Sequence, residues 1–528
     1  MKKLPIGLSS LSTIIQGGYT YVDKTALVHQ LATAGQYYFL SRPRRFGKSL
    51  LVDTLKELFE GNEPLFQGLA IHPQWDWSAR HPVISISFAE GLLQSREQLD
   101  NSIRNQLQLN AEKLQLSCAN DRDIAACLGE MLRTAYTRHN QRVVVLIDEY
   151  DKPILDNLTD AAIAGEMRDG LRNLYSVLKG HDAHLRFVFL TGVSKFSKAS
   201  IFSGLNNLKD ITLDPRYATL CGYTQAELEH CFAERLHDVD LPKLKQWYNG
   251  YQWLGEGVYN PFDILLFLDT GKSYRSYWFE TGTPTFLLKL LKDGQYYLPE
   301  LEQFAVQETR LGSFDMDDMP AEVLLFQTGY LTIHETLQMG NQLGFILGYP
   351  NLEVKLSLNT HLLSYLTPPV SRAAQISLQL YRLLAKTDME GLRDTFKRFF
   401  AGIPHDWYRN NHLDQYEGYY ASLFYAHMVA CGANTIPEDV TSVGQIDLTV
   451  MVEGSVFVFE FKVVNTDRAD GSALAQIKAK GYADKYREEQ ALWLVGVEFS
   501  KQTRNIVGFE WERGDLAVTD ASPPDRVH

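Results

Sequence analysis

The sequence predicts an α/β protein of several domains, and three observations carry that reading. Its 528 residues exceed what one hydrophobic core usually serves, so two to four domains are expected. In the first part, apolar runs of strand length alternate with helical patterns, which implies a parallel sheet covered on both faces. In the last part the order reads helix, strand, strand, helix, strand, strand. A hydrophobic fraction of 45% and a charged fraction of 22% are those of an ordinary folded chain.

Taken in order, Gln36–Leu40 reads as a short buried strand, Ser49–Glu60 as a helix, and Pro82–Phe88 as a strand. Glu97–Leu116 reads as a helix with its apolar positions mostly three to four apart. Val143–Ile147 and Leu185–Leu190, the second apolar except at Arg186, read as further strands. From Thr224 the pattern turns helical behind a capping box, Thr224-Gln225-Ala226-Glu227, and a helical lid is the simplest reading. A helix at Ala321–Tyr330, a short strand at Leu331–His334 and a second strand-like stretch resemble a winged helix; a plain helical linker domain fits equally. A third unit starts near Gln375. It has two helical stretches, strands at Gln445–Val452 and Val456–Val464, a helix at Ala473–Arg487, and strands at Ala491–Val497 and Ile506–Trp511. The expected domains are therefore 1–222, 223–374 and 375–528, with the polar tail from Asp520 fraying.

Composition narrows the function classes. A net charge of -13 weighs against non-specific coating of DNA, although a basic channel can sit inside an acidic protein. The five cysteines form no C-x-x-C pair, so neither a zinc site nor a disulfide framework is suggested, and a reducing cytoplasm fits. No run approaches the roughly 18 apolar residues of a membrane helix. Met1-Lys2-Lys3 could open a signal peptide, but Ser9, Ser10, Ser12 and Gln16 interrupt the stretch where its apolar segment would lie. A soluble, untargeted, cytoplasmic protein with no membrane partner is expected.

The first motif is a loop. Gln36–Leu40 leads into Ser41-Arg42-Pro43-Arg44-Arg45-Phe46-Gly47-Lys48-Ser49 and then a helix, the context a phosphate-binding loop needs. Arg45, Phe46, Gly47, Lys48 and Ser49 would surround the phosphates of a nucleotide. Backbone N–H groups and the helix N-terminus would face them, Lys48 would reach the β- and γ-phosphates, and the Ser49 hydroxyl would ligate Mg²⁺. Arg42 stands where the general pattern has its first glycine. Gly-Lys-Ser alone is common; a second signal decides. The strand Val143–Ile147 ends in Asp148-Glu149, about 100 residues downstream. Asp148 would hold Mg²⁺ through water, and Glu149 would orient and deprotonate the attacking water. The bland alternative is a strand followed by an acidic helix cap. Thr191-Gly192-Val193-Ser194-Lys195 lies where a sensor would contact the γ-phosphate, and Thr191 and Ser194 are both candidates, against a plain polar loop. ATP or GTP would satisfy the loop. Arg44, Arg45, Arg186 and Arg216 are all imaginable as an arginine finger.

The second motif is a hairpin. Glu453-Gly454 between two strand patterns suggests a two-residue turn. That register puts Asp447 opposite Glu460 on one sheet face, joined there by Lys462 two residues on. Like charges facing each other destabilise a sheet, and a divalent cation removes the conflict. Mg²⁺ takes a few carboxylates plus waters and substrate phosphate, and a metal-bound water attacks a phosphodiester. Lys462 would position that water or neutralise the developing charge. Asp447 with Glu460-Phe461-Lys462 is the PD-(D/E)XK constellation; E-x-K alone is weak, and the facing Asp gives it force. Glu417 shares a helix face with Tyr420 and Phe424 and reads as an outer metal ligand or as a surface glutamate. Gln476, Lys478, Lys480, Lys485 and Arg487 follow on the next helix, as DNA-backbone contacts or a solvated face.

Together these residues resemble the prokaryotic AAA-ATPase-like proteins that carry a C-terminal PD-(D/E)XK nuclease domain. The matching stretches are Tyr21-Val22-Asp23-Lys24-Thr25, the loop Arg42 to Ser49, Asp148-Glu149-Tyr150-Asp151-Lys152-Pro153, Thr191 to Lys195, and Tyr259-Asn260-Pro261-Phe262. Towards the C-terminus they are Tyr416-Glu417-Gly418-Tyr419-Tyr420, Asp447, Glu460-Phe461-Lys462, and Gln476 with Tyr482. The resemblance spans nearly the whole chain, and Arg42 looks normal within it. It implies a P-loop NTPase sheet domain, a lid and middle region, and a restriction-endonuclease-like α/β domain, with ATP and Mg²⁺ as cofactors. It implies nucleic acid as partner, DNA being the presumed form, with a homo-oligomer left open. By analogy it points to defence or mobile-element biology. The leading expectation is an ATP-regulated, Mg²⁺-dependent deoxyribonuclease. Its rival is an ATPase switch whose nuclease-like domain only binds nucleic acid or a protein; an ATPase that remodels a macromolecule comes third.

Overall fold

Buried β-branched and aromatic runs become strands, and the amphipathic stretches between them cover the sheet. The computed structural model describes residues 1–118, 123–196, 201–202, 205, 207–279, 297–312, 320–366, 370–402, 417–486 and 491–514. The chain divides into two compact units, Met1–Leu287 with Gln303–Val354, and Leu288–Glu302 with Lys355–His528.

The first unit holds β1 (Tyr37–Ser41), α1 (Lys48–Phe59), β2 (Val83–Ser87), α2 (Arg96–Leu114), α3 (Ile124–His139), β3 (Val143–Asp148), α4 (Ala161–Lys179), β4 (Leu185–Gly192) and β5 (Lys209–Asp210). The five strands are parallel, in the order β2-β3-β4-β1-β5. Every residue of β1 and β3 is buried, as a sheet covered on both faces requires. Leu51, Leu55 and Leu58 of α1 recur at helical spacing and are buried. Ser95 caps α2 by accepting from Gln98 N, a bond of about 1 kcal/mol. Cys118 and Cys127 are paired, with Cα atoms 5.5 Å apart, while Cys221, Cys231 and Cys431 are free, so a single bridge and not a disulfide framework is present.

Beyond β5, α5 (Gln225–Cys231) starts at the expected capping box, with Thr224 and Glu227 satisfying each other's backbone. α6 (Pro261–Asp269) is capped by Asn260, which accepts from Phe262 N. β6 (Phe304–Gln307), α7 (Ala321–Thr328), β7 (Thr332–Met339) and β8 (Gln342–Gly348) follow, the strands forming an antiparallel sheet in the order β6-β8-β7. The strand expected at Leu331–His334 thus runs on to Met339.

The second unit contains α8 (Met389–Ala401), α9 (Glu417–Ala430), β9 (Asn434–Val440), β10 (Gln445–Val452), β11 (Ser455–Val464), α10 (Ser472–Lys480), β12 (Ala491–Ser500) and β13 (Ile506–Arg513). The sheet order is β13-β12-β11-β10-β9; β11 and β12 are parallel, with α10 as crossover, and the other pairs antiparallel. Leu448 pairs with Phe459 and Val452 with Ser455, across a turn whose Glu453 (φ 47°) and Gly454 (φ 78°) are both left-handed, as a type I′ hairpin demands. Phe424 of α9 packs on Phe459 and Phe461 at 5.1 and 5.0 Å, so α9 covers one sheet face. Ile477 of α10 packs with Val456 and Val458 on the other. The helix expected over Ala473–Arg487 stops at Lys480, because Gly481 turns left-handed (φ 62°) and a 3-10 turn follows. Arg487 and the tail from Asp520 lie outside the described residues. Among the described residues, no helix is long and apolar enough to cross a membrane.

His427 of α9 is fully buried against Phe399 at 4.3 Å, and neither ring nitrogen has a hydrogen-bond partner. Burial pushes its pKa down to about 3. A base with a lowered folded pKa stabilises fully above its unfolded value, near 6.5, and loses that stability as pH falls toward 3. At pH 5 the loss should be about 2 kcal/mol. His427→Leu is therefore expected to flatten the pH dependence, visible as a smaller drop in denaturant midpoint from neutral pH to about pH 5 in the variant than in wild type.

Candidate functional site

In the first unit, β1 ends at Ser41 and the loop turns into α1 with left-handed backbone at Arg45 (φ 68°) and Gly47 (φ 92°). Gly47 has no side chain to cap α1, so the first N–H groups of this helix are free to face an anion. Lys48 is buried, and its ammonium donates to the carbonyls of Arg42 and Pro43 at 3.0 and 2.9 Å. Burial draws its pKa below the ordinary lysine value, opposed by the charges of Glu149, Asp148 and Asp151. Asp148 closes β3 and accepts from Glu149 N at 3.0 Å. Glu149 is itself left-handed (φ 50°), a strained conformation of the kind found at functional sites. Burial raises its carboxyl above the usual range, the direction a general base requires, with Lys48 opposing.

A cavity of about 480 Å³ opens over the loop, lined by Arg44, Arg45, Lys48, Ser49 and Glu149, with Phe262 of α6 on its wall. The Arg45 guanidinium stacks on the Phe262 ring at 4.9 Å. Phe46 reaches the cavity and packs edge-on to Tyr251 at 4.7 Å. Arg42 takes another course. It is fully buried, donates to the carbonyls of Ser41, Thr212 and Tyr217 at 2.8, 3.0 and 3.2 Å, and lies 4.1 Å from the Trp253 ring.

Thr191 and Ser194 are both buried and do not line the cavity. The Thr191 hydroxyl donates to Leu40 O at 2.9 Å, and that of Ser194 to Asp151 at 2.5 Å. Asp151 also accepts from Val193 N at 3.1 Å and Ser194 N at 2.6 Å, tying the segment after β3 to the end of β4. The spacing of the motifs assigned Asp151 no role, although it stands in the matching stretch Asp148 to Pro153. A Cβ on Gly192 would sit 2.2 Å from Asp151 Oδ1, and that carboxylate is buried and anchored. Gly192→Ala is thus expected to cost about 1–3 kcal/mol and break the tie, measurable as a lower urea midpoint.

In the second unit, the paired register of β10 and β11 runs from Val452–Ser455 to Leu448–Phe459, and continued by one residue it sets Asp447 against Glu460. Asp447 Oδ2 accepts from Phe461 N at 2.8 Å. Glu460 is 1% exposed; Lys462 donates to its Oε1 at 3.4 Å, and Gln476 of α10 donates to the same oxygen. Burial, and then the charges of Glu460 and Asp447, raise the Tyr482 phenol above its ordinary range. Among the described residues, no group of three or more His, Cys, Asp or Glu gathers as metal donors. Asp447 and Glu460 offer two carboxylates, a number that Mg²⁺ accepts together with retained waters. Glu417 opens α9; its side chain lies outside the described residues. Of the expected DNA-facing cations, Lys478 pairs with Glu512 and Lys485 with Asp439, while Lys480 is exposed.

A family model described as predicted AAA-ATPase matches residues 5–202, and one described as PD-(D/E)XK nuclease superfamily matches residues 415–509. An uncharacterized protein in the vnfD 5′ region of Azotobacter chroococcum mcd 1 is 54% identical over 511 residues, covering 96% of this chain and 98% of that protein. No solved structure matches.

Proposed function

We propose that this chain, which belongs to the predicted AAA-ATPase-like family and carries a C-terminal PD-(D/E)XK nuclease superfamily domain, is an ATP-hydrolysing protein that controls a Mg²⁺-dependent DNA endonuclease. One observation carries the nuclease half: the Glu460 carboxylate is 1% exposed and met by Lys462 and Gln476, while Asp447, one residue beyond the last paired position of the hairpin, reaches Phe461 N of the same strand as Glu460. Two facing acids destabilise a sheet unless a cation joins them. Asp447 and Glu460 would hold the Mg²⁺, which when bound supplies a water acidic enough to attack a phosphodiester. Lys462 would hold that water or meet the developing negative charge.

In the first unit, Lys48, Ser49 and the open N-terminus of α1 would bind the triphosphate, and Asp148 would hold its Mg²⁺ through water. Glu149 would orient the attacking water. The experiment is incubation of the full-length protein with linear, circular and single-stranded DNA, with and without Mg²⁺ and ATP. Cutting that needs Mg²⁺ and changes with ATP supports the reading; DNA retention without cutting in any arm overturns the catalytic part.

A further inference from the structure

Among the described residues, the helix that brings Gln476 to Glu460 has only one local cap bond, Ser472 N donating to Asp470 Oδ1 at 3.0 Å. Its N-cap is Gly471, left-handed (φ 74°) and without a side-chain cap hydrogen bond. The first-turn N–H groups of a helix need acceptors, and the second of them, Ala473 N, finds one on β12. Glu498 of β12 is 2% exposed; its Oε1 accepts from Ala473 N and Ser472 Oγ, each at 3.2 Å, and its Oε2 from Asp470 N at 2.9 Å. A negative charge at this helix end is favourable in itself.

Two glycines set the fit. A Cβ on Gly496 would lie 2.4 Å from Leu474 N, so the first turn of α10 rests directly on the strand backbone. A Cβ on Gly508 would lie 2.9 Å from Glu498 Oε2, so β13 closes over the carboxylate. The register joins these contacts to the candidate site: Gly496 pairs with Glu460, and Glu498 pairs with Lys462. The two β12 residues that hold the helix are therefore the strand partners of Glu460, which Gln476 meets, and of Lys462. Gln476 follows Ala473 by three residues, nearly one turn.

We infer that Glu498 is a positioning residue for the proposed metal site: by anchoring the first turn of α10 it fixes Gln476 against the Glu460 carboxylate. This rests on the nuclease reading above. A small displacement of the helix would release the Gln476 amide and let the carboxylate rotate away from its metal-binding orientation. Groups that orient metal ligands typically change metal affinity about 10–100-fold when lost.

The test uses full-length protein and Mn²⁺ as probe, with calorimetric titration of wild type, Glu498→Gln, Gln476→Ala and the double variant. Glu498→Gln keeps the shape but sets an amide donor against Asp470 N–H. It is expected to weaken Mn²⁺ binding about 10-fold, and the double variant to bind no more weakly than Gln476→Ala alone. A Glu498→Gln affinity within twofold of wild type overturns the inference, as does a loss that multiplies with that of Gln476→Ala. The Gln476 side-chain amide signal in ¹⁵N-glutamine-labelled protein supplies a readout without metal. It should move in Glu498→Gln, and an unmoved signal also overturns the inference. If wild type binds no Mn²⁺, the nuclease reading falls, and the amide signal still decides whether Glu498 positions Gln476.

Discussion

Arg42→Gly, which restores the glycine of the general phosphate-loop pattern, is expected to destabilise the first unit by about 3–5 kcal/mol rather than improve the loop. The backbone has no use for glycine at this position, since the left-handed angles fall at Arg45 and Gly47 and not at Arg42. The side chain, by contrast, fills a buried volume and donates to three carbonyls, two of them in the segment after β5. Its charge rests on those carbonyls and on the Trp253 face, and burial pulls its pKa down to about 10. Deleting it leaves buried acceptors unmet and a cavity beside the indole, each separately costly. Loss of the strut also frees the loop whose carbonyls hold Lys48, so nucleotide affinity should fall with stability. Denaturant midpoints of wild type, Arg42→Gly and Arg42→Lys decide it. Arg42→Lys should fall between, because one ammonium cannot reach carbonyls that a planar fork spans. A glycine variant as stable as wild type would refute this account of the loop.

The residues that spoke in the sequence are those whose physics is local. Val143–Ile147 had to be a covered strand because it has no polar face to show water, and the structure buries all of β3. The β10–β11 register was legible because Glu453-Gly454 permits one turn, and one turn fixes every pair beyond it. What escaped notice depends on distant partners. β9 contains Pro437, Glu438 and Asp439, which do not resemble a strand until it is seen at the sheet edge, where proline is tolerated. The stop at Gly481 was open to reading, but a lysine-rich run on either side kept the helical pattern going. Asp151 and Glu498 look like surface acids in one dimension. Each satisfies backbone N–H groups far along the chain, and only the packed fold shows which.

Under the proposed reading, Glu460→Ala should abolish Mg²⁺-dependent cutting, with a loss of at least about 10²–10³-fold, while ATP binding stays unchanged. The carboxylate is 1% exposed, and the Lys462 and Gln476 side chains that reach it lose their acceptor together. Glu460→Gln separates charge from shape: an amide fills the same space but cannot join Asp447 in holding a divalent ion, so cutting should fail equally. Stability should move the other way. Removing one of two facing carboxylates relieves repulsion, so Glu460→Gln should unfold at no lower denaturant concentration than wild type. Lys48→Ala makes the complementary cut. It removes the cation that nearby carboxylates face, so ATP binding should fail while the Asp447–Glu460 hairpin keeps its Mn²⁺ affinity. A nuclease assay on supercoiled DNA, an ATP titration and a Mn²⁺ titration on the three proteins distinguish the outcomes. Full cutting by Glu460→Gln would place the chemistry elsewhere in the chain, and unaltered ATP affinity in Lys48→Ala would take the nucleotide away from this loop.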